Sequence, residues 1–276
     1  MSIKNKIDFA VIFTVKNANP NGDPLNGNRP RINYDGYGEV SDVCIKRKIR
    51  NVWMYNDRDI FVQSNDIKVD EYKSLAERKK ESLADYETVD ELRKLSCQKW
   101  LDVRSFGQLF AFKGDSLSLG IRGPVSIHSA VSVNPIAVSS MQITKSVNSE
   151  DKKGGKASDT MGMKHRVDYG VYVFYGSISP QLAEKTGFDE EDAKVLKDAL
   201  VNLFYSDASS ARPEGSMEVR NVYWWEHNSK AGQYSSAKVH RSLNIKAKRK
   251  DIKNFDDVEV SIEPLDGLDV EIIEGM

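Results

Sequence analysis

Three stretches of this chain place apolar residues at every second position. They are Ile7, Phe9, Val11, Phe13 and Val15; Val125, Ile127, Val131 and Val133, with Ser129 in step; and Val167, Tyr169, Val171, Val173 and Tyr175. A period of two is the spacing of side chains on one face of a β-strand. Val219 to Trp225 reads as a further, buried strand, and weaker strand patterns lie at Val258 to Ile262 and around Leu268 to Ile273. Two helical periods separate the strands. After Ser41, a capping residue, Ile45, Ile49, Val52 and Trp53 fall on one helical stripe. From Asp189 to Phe204, acids open a segment whose stripe is Leu196, Leu200, Leu203 and Phe204. Two β-α-β-like halves with antiparallel strands predict an α+β chain with a ferredoxin-like sheet. Opposite the apolar side of the second run stand Ser126, His128, Ala130 and Ser132. This predicts a sheet with one buried face and one open, polar working face.

Three segments break the pattern. Residues 17–31 are dense in Gly, Pro and Asn and must form a loop. Residues 56–100 are polar and charged, and Glu71 to Lys80 and Asp85 to Leu95 carry helical patterns, so this region reads as a mostly helical insertion. Residues 139–166 lose hydrophobicity. Val138 to Val147 and Met161 to Val167 read as two arms of a long hairpin, with Lys152 to Lys156 at a flexible tip.

The 276 residues are ample for a core. No apolar run approaches the ~20 residues of a membrane-spanning helix. The start, Met1 to Lys6, leads straight into a strand without a signal-peptide core, which predicts a cytoplasmic protein with no membrane partner. Cys44 and Cys97 lie far apart, with neither zinc spacing nor a disulfide framework. Gly154-Gly155-Lys156-Ala157 lacks the upstream glycine and the hydroxyl of a phosphate loop. The four histidines show no metal-ligand spacing. No metal or other cofactor and no enzymatic activity are expected. Asp23 and Asp35, in the first loop beside Arg29 and Arg31, are the candidates for a metal-dependent ribonuclease, although Asp also favours turns on backbone grounds alone.

The net charge of −1 hides an asymmetry. Residues 251–276 hold nine acids and one base, a net −8, which leaves +7 for residues 1–250. Six Lys or Arg and no acid lie between Lys238 and Lys250. A basic body with an acidic tail fits a polyanion binder, and also a solvated surface with a solubilising tail. On a helix, Lys46, Arg47 and Arg50 cluster beside the apolar stripe and match the spacing of phosphates on a single strand. The hairpin adds Lys145, Lys152, Lys153, Lys156, Lys164 and Arg166, and carries Met141, Met161 and Met163. Those methionines either wedge between stacked bases or anchor the hairpin base or a subunit contact.

Several strings together resemble a known family: Asn19-Pro-Asn-Gly-Asp-Pro24, Gly27-Asn28-Arg29-Pro30-Arg31, Val40 to Asn51, Arg104-Ser-Phe-Gly107, Gly123-Pro124-Val-Ser-Ile127 and Met161-Gly-Met-Lys-His-Arg166. They are similar to the Cas7 family, the repeat-associated RNA-binding backbone subunits of type I CRISPR effector (Cascade) complexes, in its type I-C version. The resemblance implies a modified RNA-recognition fold. Its palm would be residues 1–55, 101–138 and 167–276, its fingers the insertion 56–100, and its thumb the hairpin 139–166, all in one domain. It implies a non-catalytic protein that polymerises head to tail along CRISPR RNA and leaves guide bases free to pair with target DNA. It also implies partner subunits of the Cas5 type and a large and a small subunit. Carried onto this chain, the RNA-contacting residues would be Asn28, Arg29, Arg31, Ser41, Lys46, Arg47, Arg50, Arg104, Phe106, Gly107, Gln142, Lys145, Lys164 and Arg166. Met141, Met161 and Met163 would be the thumb wedge.

Overall fold

The computed structural model describes residues 2–115, 117–144 and 161–276. In chain order the elements are β1 (Ile7–Ala18), β2 (Gly22–Asp23), β3 (Arg29–Pro30), β4 (Tyr37–Val40), α1 (Asp42–Tyr55), α2 (Leu75–Ser82), α3 (Val89–Lys99) and α4 (Leu101–Phe106). Then follow β5 (Gly107–Phe110), β6 (Leu119–Arg122), β7 (Val125–Ile127), β8 (Ala130–Pro135), β9 (Val138–Thr144), β10 (Met161–Ile178), α5 (Pro180–Thr186) and α6 (Glu190–Val201). The chain closes with β11 (Met217–Glu226), α7 (Ser236–Ser242), β12 (Leu243–Ala247), β13 (Val258–Ile262) and β14 (Glu271–Glu274).

The main sheet runs β14-β11-β1-β10-β8-β4, and β7 and β9 also pair with β10. Its centre, β11-β1-β10-β8, is antiparallel throughout. β10 is 18 residues long and does two jobs. Its second half runs beside β1, from Val167 opposite Ala18 to Ile178 opposite Ile7. Its first half runs on past the end of β1 and pairs with β9 from Met161 opposite Thr144 to Val167 opposite Val138. The two predicted hairpin arms are therefore present and continuous with the central strand. The tip, with Lys145, Lys152, Lys153 and Lys156, lies outside the described residues.

Both faces of β1 are covered. Phe9, Val11 and Phe13 meet Ile45, Ile49 and Trp53 of α1 and Leu196 and Leu200 of α6. On the other face, Ala10 and Ile12 pack with Tyr223, Trp225, Val239 of α7, Leu243 of β12 and Val258 of β13. Hence every residue from Ile7 to Val15 is buried, where period-two alternation predicted a half-buried strand. The correction has a simple cause: the C-terminal segment lies over the predicted open face. The segment expected as an acidic tail is built into the fold. β13 pairs with β12 and β14 pairs with β11.

The second alternating run also needs correction. It is two strands, β7 and β8, with His128 and Ser129 between them. The break shifts the phase by one residue and exchanges the faces beyond it. Ala130 and Ser132 are buried and Val131 is 38% exposed, the reverse of the predicted pattern. The Ser132 hydroxyl accepts from Gly38 N at 2.8 Å and donates to Asn134 O at 2.6 Å, so its burial leaves no polar group unmatched.

Residues 56–100 are less helical than predicted. α2 and α3 are each capped, by Ser74 and by Thr88 in a capping box with Glu91. Much of 56–74 is irregular and is held by side chains in place of a helical ladder. Asp102 accepts from Phe61 N at 2.8 Å and Val62 N at 3.0 Å, and Arg78 pairs with Asp70 and donates to Phe61 O. A separate small core forms here from Phe61, Leu92, Trp100, Phe110, Leu119 and Ile121.

Candidate nucleic-acid interface

Ser41 sets the start of α1. Its hydroxyl accepts from Cys44 N at 3.3 Å and donates to Asn21 Oδ1 at 3.0 Å, and Ser41 N donates to the same oxygen at 3.0 Å. Asn21 thus clamps the first loop to the helix N-terminus. The loop folds on itself: Asn28 N donates to Asp23 O at 2.8 Å, and Asn19 Nδ2 donates to Asn28 O at 2.7 Å. Asn28 has φ +59°, which Asn tolerates. Arg31 stands 3.6 Å from Asp23, while Arg29 makes no ion pair among the described residues. The loop holds Leu25 and Tyr34 out in solvent.

The predicted cations share one edge of α1, and two of them, Lys46 and Arg50, flank Phe106. That ring stacks on Trp53 at 5.3 Å, with Lys46 Nζ 5.9 Å and the Arg50 guanidinium 5.1 Å from its centroid. The three cations differ in availability. Lys46 pairs with Asp42 one turn back at 2.9 Å and stays a quarter exposed. Arg47 donates to Asn51 Oδ1 at 2.9 Å and lies 3.7 Å from Asp66, with its side chain about a third exposed. Partial burial holds the Arg47 guanidinium below its ordinary value. Arg50 is 12% exposed and bonded at 2.8 Å to the buried Asp102. It braces α1 against α4.

Arg104 is committed in the same way. Two bonds of 2.8 Å join it to Asp192 at the start of α6, and a third reaches Cys97 O. Burial alone would lower its pKa, but the Asp192 carboxylate outweighs that and holds it above the ordinary value. Gly107 is needed by the backbone. Its φ is +81°, and a Cβ there would sit 2.2 Å from Ile121 O.

On the hairpin, cross-strand register sorts the side chains onto two faces. Met141, Ile143, Lys164 and Arg166 share one, and Gln142, Met161, Met163 and His165 share the other. Met141, Met161 and Met163 are 39%, 61% and 56% exposed, so none fills a core. Gln142 Nε2 donates to Met161 Sδ, and Arg166 lies 3.6 Å from Asp168.

The sequence reading missed the acids that decide which cations stay open: Asp102, Asp192 and Asp207. It also passed over Lys48, which is 4% exposed and bound to Asp207, itself bonded to Arg212 at 2.9 Å. Burial lowers the Lys48 ammonium pKa. The signal was present, since Lys48 sits three residues after Ile45, within the apolar stripe. The basic run before Lys250 is partly neutralised by the segment that follows it. Arg249 reaches Asp257 at 2.6 Å and Lys248 Nζ donates to Asp256 O at 2.8 Å.

Asp23 caps a short turn by accepting from Leu25 N, and Asp35 sits in a turn closed by Asn33 Oδ1. Among the described residues, no three His, Cys, Asp or Glu side chains converge on a point that can hold a metal ion. Both cysteines are free, and burial pushes the Cys97 thiol up to about 11. His227 Nε2 lies 2.8 Å from the buried Asp8, and its Nδ1 accepts from Gln233 N, so it holds the C-terminal layer in place. No helix among the described residues is long and apolar enough to cross a membrane.

Three comparisons bear on this arrangement. A curated Cas7 protein of Haloferax volcanii is 26% identical over 221 residues, covering 71% of this chain. The matched part spans 63% of that relative's own length. A solved chain from a "CRISPR RNA-guided surveillance complex, pre-nicking" shares the fold, with TM-score 0.50, 18% identity, and 80% of this chain and 78% of that chain covered. The family profile described as CRISPR-associated protein Cas7 matches residues 5–263. With nearly its whole length matched and the sheet, capped helix and projecting hairpin in place, the chain belongs to the Cas7 family of CRISPR-associated proteins.

Proposed function

We propose that this protein is a non-catalytic, RNA-binding backbone subunit of a CRISPR surveillance complex of type I-C. Copies polymerise head to tail along the guide, hold its phosphates, and leave base edges free to pair with target DNA. The observation that carries this reading is the α1 edge. Lys46, over the Phe106 ring, and Arg47 stand partly exposed, and the Asn21–Ser41 clamp brings the loop with Arg29 and Arg31 against the same helix start. Sequence-tolerant binding needs such backbone contacts, because guides differ in sequence.

In this reading the sheet with α1 and α6 is the palm. The order β11-β1-β10-β8, with helices after the first and third of these strands in the chain, supports a ferredoxin-like, RNA-recognition-type core. The region 56–100 is the fingers and the hairpin 139–166 the thumb, whose exposed Met141, Met161 and Met163 are shaped to wedge between bases. The C-terminal layer covers most of the sheet face on which RNA-recognition domains stack bases, so the guide is gripped by the helix edge and the hairpin. Subunits of the Cas5 type and a large and a small subunit complete the complex.

The test is co-expression with a CRISPR array, followed by size-exclusion chromatography and a denaturing gel of bound nucleic acid. The native chain should elute as a large species carrying discrete RNA. Lys46→Glu with Arg47→Glu should elute without RNA while remaining folded by circular dichroism. A double variant that still carries full-length guide would overturn the reading. Arg50 is unsuitable for this test, because its reversal breaks the bond to Asp102.

A further inference from the structure

The C-terminal layer does not cover the whole second face of the sheet. Where β12 meets β8 and β10 it leaves an open groove of about 370 Å³. Val133 and Val173 form its apolar floor, and the Tyr175 ring, stacked on the His240 imidazole at 4.9 Å, forms an aromatic wall. Arg241 and Asn244 close the rim. Arg241 is exposed and makes no ion pair among the described residues. Among the described residues the Asn244 side chain makes only a long bond of 3.4 Å to Ser242 O, and its amide oxygen has no partner there.

Among the described residues no acid lines this groove, whereas other cavities of the molecule carry Glu190 and Glu226, Asp168 and Asp251, or Glu214 and Glu218. The groove also lies on the face opposite α1. Val173 stands across from Ile12 and Tyr175 across from Ala10, while α1 packs on Phe9, Val11 and Phe13. The groove is therefore separate from the Lys46 and Arg47 edge. It also accounts for part of the Lys238 to Lys250 basic run that the acidic segment leaves unpaired.

We infer that this groove binds one unpaired nucleotide of a single-stranded nucleic acid. The base lies on the Val133 and Val173 floor against Tyr175, Asn244 bonds its edge, and Arg241 takes the adjoining phosphate. Size, aromatic wall, amide and unpaired guanidinium are the components of base stacking with backbone capture. The strand held here is a second one, apart from any strand at α1.

The experiment uses the full chain carrying Lys46→Glu and Arg47→Glu, so that a failed α1 proposal and a failed groove proposal read differently. The probes are an oligoribonucleotide of 4-thiouridine and the matching thymidine oligomer, with ultraviolet cross-linking and peptide mapping. Cross-links should fall on the peptides containing Tyr175 or Asn244 in this background. Arg241→Glu should lower cross-linking and oligonucleotide affinity by about tenfold, and Arg241→Lys should restore most of it. Asn244→Leu, a change at the half-buried rim, provides a second variant. Competition by the thymidine oligomer tells whether the site takes DNA, RNA or both. Cross-links confined to α1 or the hairpin would overturn the inference. So would affinity unchanged by Arg241→Glu, or shielding of Arg241 by a protein subunit in the assembled complex.

Discussion

Two basic stretches, four cations within residues 46–50 and six within residues 238–250, meet different fates in this molecule. The α1 stretch, Lys46, Arg47, Lys48 and Arg50, is sorted by acids that arrive from far along the chain. Asp207 takes Lys48 into the core and Asp102 takes Arg50 into the α1–α4 brace, while Lys46 and Arg47 remain partly exposed. In the C-terminal stretch, Lys238 to Lys250, the partners lie only a few residues downstream: the buried Asp257 pairs with Arg249 and the Asp256 carbonyl accepts from Lys248, and both cations stay exposed. The lesson is that burial, more than charge count, separates a cation that builds the fold from one that can meet a polyanion. A buried ion pair is expensive to break on one side, and a surface pair contributes little.

The contrast can be broken first at its buried end. Asp102→Ala leaves Arg50 nearly buried without its partner and strips two backbone amides, Phe61 N and Val62 N, of their acceptor. The expected loss is about 3–5 kcal/mol in urea unfolding. A loss near zero would mean that water replaces the carboxylate and that Arg50 is not a brace.

The exposed end predicts the opposite pattern. Lys46→Glu with Arg47→Glu should leave the urea midpoint almost unchanged. It should weaken single-stranded RNA binding by tenfold or more, and flatten the log–log salt slope by roughly 0.7 for each phosphate the protein no longer neutralises. A slope equal to that of the native chain would place the RNA elsewhere.

A third comparison concerns pH. Burial lowers the His240 pKa below its ordinary 6.5, with the nearby Asp8 charge opposing that effect. The unfolded chain therefore binds a proton that the folded chain resists. Stability contributed by neutral His240 is complete above pH 6.5 and declines as pH falls below it, levelling off beneath the folded pKa. His240→Gln should flatten this acid-side decline in unfolding titrations. Parallel curves for the two proteins would assign the decline to other groups.

The smallest effect belongs to the surface. Arg249 is 61% exposed and the buried Asp257 keeps its bonds from Lys253 N and Asn254 N without it, so Arg249→Ala should shift stability by no more than about 0.5 kcal/mol, measured in the same urea series. A larger loss would show that the acidic segment depends on this pair to stay docked.

Much of the fold was legible from local pattern. The Ser41 cap and the stripe of Ile45, Ile49, Val52 and Trp53 are α1 as found, and Asp189 opens α6 with a capping box. β13 and β14 fall where the weak C-terminal patterns lay. α5, α7 and β12 were not visible, because five to seven residues are too few to show a period. At the candidate site, the gathering of Lys46, Arg47 and Arg50 followed from helix geometry. The withdrawal of Arg50 and Arg104 did not, because their partners lie 52 and 88 residues away.

The sequence alone determined what local rules govern: strand and helix periods, caps, the Gly- and Asn-rich loop, and which helix edge is basic. Tertiary structure decided what depends on distant segments meeting. It shifted the phase between β7 and β8, laid the acidic segment over the open sheet face, and chose the acids that pair with particular cations. Period and propensity act over a few residues, whereas burial and ion pairing are set by whichever surfaces the fold brings together.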